Sequence, residues 1–151
     1  MKAVLQRVSN ASVTVDNKLV SSINQGFLIL LGVEANDDEK EAVSLAKKIS
    51  GLRIFTDEND KMNLSLADVD GEVLVVSNFT LCADCKKGRR PNFERAARGE
   101  SANSLYELFC STLLELGVKK VAKGIFGADM KVELLNDGPV TIIIDSLELA
   151  K

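Results

Sequence analysis

The sequence contains no histidine and no tryptophan. Without an imidazole, no Ser-His or Cys-His nucleophile pair can be built within the chain. A catalytic zinc site that depends on histidine is excluded for the same reason. Only three cysteines are present, Cys82, Cys85 and Cys110. Three thiols cannot all pair inside one chain, so reduced cysteines and a cytoplasmic location are expected. Long apolar runs are also missing. The longest, Phe27 to Leu31, falls far short of the roughly 20 residues of a membrane helix, and no membrane partner is expected. The opening MKAVLQRV carries one early Lys, and Gln6 and Arg7 break its apolar run, so no signal peptide is expected.

What is present fits an ordinary globular domain. The chain has 151 residues, 46% hydrophobic and 27% charged, with a net charge of -3. That length predicts one domain over residues 1–151, able to bury roughly 70% of its unfolded surface. Ala3–Val8, Ser12–Val15 and Leu19–Ile23 read as short strands with a turn at Asp16-Asn17-Lys18. Phe27–Val33 reads as a strand buried on both faces. Asn36 and Glu39 have capping-box spacing. Ala42, Val43, Leu45, Ala46 and Ile49 then share a helical face that stops at Gly51. Strands are expected at Leu52–Phe55 and Glu72–Leu81. A second helix begins near Ser101, with a stripe of Leu105, Leu108, Phe109, Leu113 and Leu116, and Gly117 ends it. Val118–Val121, Met130–Leu135 and Val140–Asp145 close the chain as strands. The fold class is α+β: a mainly antiparallel curved sheet or partial barrel with two packed helices.

Three segments stand out chemically. Ser77-Asn78-Phe79-Thr80-Leu81 ends an apolar strand. Strand geometry puts Ser77 and Phe79 on one face, Asn78 and Thr80 on the other. The segment is either a strand end emerging into solvent or the wall of a cavity. Asn136-Asp-Gly-Pro-Val-Thr141 reads as a hairpin turn between two strands. Alternatively, a cis Gly138–Pro139 bond would turn two successive carbonyls the same way, as a rigid acceptor pair. Cys85 to Arg98 holds six Lys or Arg and one acid, Glu94, so it carries +5 against about -8 for the rest. Such an island is either a phosphate-binding footprint or a solvated loop. Phe93 is its one stacking platform. No RNP or helix-turn-helix signature accompanies it, and DNA is not expected as a partner.

Other features carry less. Cys82-Ala-Asp-Cys85 lacks the further soft ligands of a zinc site and does not open a helix as redox motifs do. No metal and no cofactor are expected. Gly124-Ile-Phe-Gly127 lacks the ending of a phosphate loop. Asp57, Glu58 and Asp60 lie in a solvated turn.

SNFTL at 77–81, KKGRRPNF at 86–93 and NDGPVT at 136–141, with the opening KAVLQRVSNASVTV and LRIF…KMNLSL, resemble the D-aminoacyl-tRNA deacylases over essentially the whole chain. The family usually has Gln where this chain has Asn78. The resemblance implies a homodimer that hydrolyses the ester joining a D-amino acid, or mischarged glycine, to the tRNA 3′ end. It implies that Ser77, Asn78, Phe79 and Thr80 line the catalytic pocket of one subunit. Gly138 and Pro139, as a Gly-cisPro unit, would reach in from the other and reject L-aminoacyl-tRNA. Ala102 would admit the adenosine end, and Arg7 and Met130 would orient the Gly-Pro loop. Lys86, Lys87, Arg89 and Arg90 would meet tRNA phosphates, without reading sequence. Thr80 is read as a lining or orienting group, with a nucleophile as the alternative, since nothing in the sequence gives it a base.

Overall fold

The computed structural model describes residues 1–149. Its centre is a six-stranded sheet of β1 (Lys2–Val15), β2 (Lys18–Ile23), β3 (Gly26–Gly32), β6 (Glu72–Ser77), β7 (Lys120–Lys123) and β8 (Lys131–Asp145). A two-residue β4 (Phe55–Thr56) and β5 (Met62–Leu64) make a separate small hairpin. Helices α1 (Glu39–Ser50) and α2 (Gly99–Glu115) pack on one side, and a short α3 (Ser146–Leu149) follows β8.

The sheet is mainly antiparallel, as expected, but it is mixed. β1 pairs antiparallel with β2, β3 and β8, whereas β3–β6 and β6–β7 are parallel. Parallel neighbours need long crossovers, and α1 and α2 lie in those two connections. The sheet order is β2-β1-β3-β6-β7. Its two ends meet through side chains: Ser21 Oγ donates to Lys123 O at 2.8 Å, and Lys120 Nζ to Ser22 O at 2.8 Å. The result is a nearly closed barrel.

Alternation along the central strands builds two cores. Phe27, Ile29 and Leu31 of β3 and Val73 and Val75 of β6 face the helices, packing on Leu45, Ile49, Phe109 and Leu113. Leu28, Leu74 and Val76 point into the barrel against Val8, Val13 and Ile23. Tyr106 ties α2 to β6 by donating its hydroxyl to Val75 O at 2.8 Å. Burial pushes that phenol well above its usual range.

Several expected elements differ. Ala3–Val8 and Ser12–Val15 form one strand, because β8 runs alongside both. The capping box of α1 is Asp38 with Glu41, not Asn36 with Glu39. Of Leu52–Phe55 only Phe55 is in a strand. α2 starts at Gly99, and Leu116 is 43% exposed, with Ala102, Tyr106 and Cys110 buried instead. β6 ends at Ser77, and a 3-10 helix, Phe79–Cys82, replaces the last part of the expected strand. The strict face alternation of Ser77 to Thr80 is therefore lost.

The largest difference lies at 136–141, which is no hairpin. Of the two expected strands, Lys131–Leu135 and Val140–Asp145 belong to one strand, β8, in register with β1 on both sides, and Met130 lies just before it. Gln6 faces Thr141 and Val8 faces Asn136. One residue of β1, Arg7, thus spans four of β8, Asp137 to Val140. The surplus leaves the sheet as an excursion.

Candidate functional site

A cavity of about 630 Å³ opens outside the carboxyl ends of the parallel strands β3 and β6. Its floor is apolar, from Leu30, Val76, Met130 and Val132, and Ala96, Ala97 and Ala102 form a wall. The polar groups on its lining are few: Ser77, Asn78, Arg98 and Asp129. An apolar cleft with sparse polar groups is the usual form of a small-ligand site.

The 3-10 helix at its lip is shaped by two contacts. Gly32 lets it lie directly on β3: a Cβ there would stand 3.0 Å from Leu81 Cβ, 3.1 Å from Asn78 O and 3.2 Å from Cys82 Sγ. Asn78 caps it, because its Oδ1 accepts from Thr80 N at 3.3 Å and also from the Thr80 hydroxyl. A short polar side chain with β-region backbone is what an N-cap requires. The Phe79 N–H, first in the helix, has no partner among the described residues. The Phe79 ring is 56% exposed and meets Phe93 edge-on, with centroids 5.2 Å apart.

Ser77, Asn78, Phe79, Ala102 and Met130 all border this cavity; Thr80 does not. Gly138, Pro139 and Arg7 do not either. The Gly138–Pro139 bond is cis and sits exposed in the β8 excursion. Arg7 braces that excursion. Its Nε donates to Asp137 O at 2.9 Å and its Nη1 to Ile54 O at 2.7 Å. Asn136 closes the base, donating from Nδ2 to Arg7 O and Val140 O, each at 3.0 Å. Met130 lies elsewhere, against Gly124, where a Cβ would meet its Sδ at 2.5 Å.

The basic island divides three ways. Asp84 and Asn92 exchange backbone hydrogen bonds of 2.8 and 2.9 Å, and hold the exposed Lys86, Lys87, Arg89 and Arg90 out on a closed loop. Arg95 is committed to the fold by an ion pair with the buried Glu34, at 2.7 Å. Arg98 stands at the cavity. Sequence reasoning assigned Arg98 only to the island and did not single out Asp129. For Arg98, its position one residue before α2 is the signal that tells it from the loop cations.

Cys82 and Cys110 are buried and Cys85 is exposed. Burial raises the Cys82 thiol and pushes Cys110 up to about 12, so both stay protonated at neutral pH. Among the described residues no three His, Cys, Asp or Glu side chains come together as a metal site. No described helix is long and apolar enough to cross a membrane.

A barrel-like mixed sheet with an apolar cleft and a few polar groups on its lining defines a single α+β domain with the form of a small-ligand site. The model of the D-Tyr-tRNA(Tyr) deacylase family matches residues 4–145, and the chain belongs to that family. A D-aminoacyl-tRNA deacylase of Flavobacterium psychrophilum is 58% identical over 147 residues, covering 97% of each chain. One from Dictyoglomus turgidum is 54% identical over 151 residues, covering 100% of this chain and 96% of its own. Among solved structures, a c-Myc DNA unwinding element binding protein superposes with a TM-score of 0.90 at 41% identity, covering 96% of this chain and 98% of its own. A probable eukaryotic D-amino acid tRNA deacylase gives 0.78 at 18% identity over 95% of this chain and 97% of its own, a likeness of fold alone.

Proposed function

We propose that the chain hydrolyses the ester bond of D-aminoacyl-tRNA, and of glycyl-tRNA, releasing the amino acid and free tRNA in the cytoplasm. Relatives that bear this activity in their names, more than half identical over nearly the full length, support the reading. The observation that carries it is the cavity itself: a closed-in apolar wall at Ala102, an amide and an open N–H at its lip, and Arg98 at its edge.

The chemistry asks for little more. Water adds to the ester carbonyl carbon, the acyl C–O bond breaks, and the leaving 3′-oxygen takes a proton. A ribose 2′-hydroxyl beside that bond relays the proton, so no histidine is needed. The protein contributes position and donors for the developing oxyanion. The unpartnered Phe79 N–H is one such donor. The Lys86–Arg90 loop holds acceptor-stem phosphates at a distance from the reacting bond.

The site is completed by a second copy. The β8 excursion lies outside its own chain's cavity, and β8 exposes Leu135 and Ile143, the latter by 75%. In a homodimer, that apolar edge is covered and Gly138–Pro139 of one copy meets the cavity of the other. Backbone atoms there read the α-carbon, which is constant, and not the side chain, which varies. L-aminoacyl-tRNA is thereby refused while glycine passes.

The test is deacylation of D-tyrosyl-, L-tyrosyl- and glycyl-tRNA by the purified protein, beside free D-tyrosine ethyl ester and a DNA duplex as competitor. D-tyrosyl- and glycyl-tRNA are expected to be hydrolysed, with the L ester and the free ester untouched and DNA without effect. Equal rates on the D and L esters sink the reading.

A further inference from the structure

We propose that Arg98 binds the phosphate that joins the terminal adenosine to the rest of the tRNA, so that the cavity takes one aminoacyl nucleoside and detects the attached chain by a single charge at its rim. This rests on the deacylase reading of the cavity and goes beyond it in giving the first backbone phosphate a partner.

A volume of about 630 Å³ suits one nucleoside-sized ligand, not a strand. The polynucleotide must therefore leave at the mouth, and its first phosphate leaves with it. The floor cannot hold that charge. Leu30, Val76, Met130 and Val132 offer no side-chain donor, and burying an unpaired anion among them is prohibitive. Only two charged side chains border the cavity among the described residues, Arg98 and Asp129. Asp129 repels a phosphate, and it already faces Lys131 at 3.4 Å. The loop cations Lys86, Lys87, Arg89 and Arg90 do not border the cavity. Arg98 is the cation left.

Arg98 is also free to serve. Arg95, three residues earlier, is taken by Glu34 at 2.7 Å. Arg98 is exposed and has no ion pair among the described residues. It stands immediately before α2, where a residue with a side-chain acceptor would cap the helix, but a guanidinium has none to offer. A cation there also opposes the helix dipole. Nothing in the fold calls for an arginine at this position. Ala102, four residues on and 3% exposed, lies one turn deeper, so α2 runs from the mouth of the cavity into its wall. A guanidinium presents two parallel N–H groups to phosphate oxygens. The phosphate does not change during the reaction, so the contact acts on binding and not on the chemical step.

Two short esters isolate the charge. One is 3′-O-D-tyrosyl-adenosine. The other carries in addition a 5′-phosphate, methylated so that it has the single charge of a phosphodiester. Wild type should prefer the phosphorylated ester about ten-fold or more in kcat/KM, the usual strength of a charge-assisted pair. Arg98→Gln should bring that ratio near one. Arg98→Lys should recover part of it, since the charge returns without the fork. Lys86→Ala combined with Arg90→Ala should keep the wild-type ratio. On whole D-tyrosyl-tRNA, Arg98→Gln should raise KM with kcat little changed. The log–log salt slope of kcat/KM should become shallower by about 0.7, the value for one single-strand phosphate. A wild-type ratio near one, a ratio unchanged in Arg98→Gln, or an unmoved KM and slope on tRNA each overturns the proposal. A shallower slope on tRNA with the ratio kept places Arg98 at a different phosphate and overturns it as well. In each case hydrolysis of D-tyrosyl-tRNA by wild type leaves the deacylase reading standing. A wild-type protein inactive on D-tyrosyl-tRNA takes down both.

Discussion

Arg7 shows how a single side chain sets the shape of a distant loop. It is 8% exposed, on the face of β1 that also buries Ala3 and Leu5. A guanidinium on a buried strand face must find acceptors, and it finds the carbonyls of Asp137 and Ile54. Arg7→Met keeps the bulk and strands both carbonyls. Charge-assisted bonds of this kind contribute about 1.5–3 kcal/mol each, so a fall in thermal midpoint of roughly 6–24 °C is expected. Arg7→Lys should recover little, because one ammonium cannot serve two diverging acceptors. Thermal denaturation followed by circular dichroism checks this, and an unmoved midpoint would mean that water replaces the guanidinium. In the sequence the residue stood out only as a break in the opening apolar run, and its place at the Gly-Pro loop was legible through resemblance. Its partners were not, since they lie 47 and 130 positions away. Met130 was legible only through resemblance, and within one chain its place is the cavity floor.

At the scale of elements, the sequence was most readable where neighbours in space are neighbours in the chain. The β1–β2 turn, the apolar β3 and the buried face of α1 follow directly from local pattern. It was least readable where tertiary contact overrules local preference. Asn-Asp-Gly-Pro has every mark of a turn, yet β8 carries on past it because β1 offers partners on both sides. Ser77 to Leu81 reads as a strand, but Gly32 opens space for a tighter helix on top of β3. That space can be tested. Gly32→Ala sets a methyl against Asn78 O and Leu81 Cβ. Overpacking of this kind costs about 1–3 kcal/mol, and the displaced 3-10 helix carries the cavity lip with it. A folded Gly32→Ala protein should therefore lose D-tyrosyl-tRNA hydrolysis out of proportion to its loss of stability. Equal activity at a lowered midpoint would show that the lip moves freely.

For the whole molecule, the parallel pairs are what local reading missed. Short turns between the early strands suggested antiparallel pairing there, and that holds for β1, β2 and β3. The helices between β3 and β6 and between β6 and β7 are the crossovers of a parallel arrangement. Helices separating apolar strands are the sequence mark of such units. Charge is distributed with the same economy. A chain of net charge -3 concentrates four cations on one solvent-exposed loop. Arg95, sequence neighbour to that loop, serves the fold through Glu34. Composition alone does not separate these roles; burial of the counter-charge does.

Gly138 and Pro139 of the β8 excursion do not line the cavity of their own chain. If each working site takes its cavity from one copy and its excursion from the other, two crippled proteins can repair one another. Ala102→Phe fills a cavity wall, and Gly138→Val forces a Cβ that would lie 2.3 Å from Val140 N, deforming the excursion. Each alone should be inactive. Co-expressed, random pairing makes half of the dimers mixed, and each mixed dimer holds one site built from two sound halves. Activity should return to about a quarter of the wild-type level. Proven mixed dimers that stay silent would place cavity and excursion in service of the same chain. Otherwise, a defect in one allele of this protein can be masked by a different defect in another.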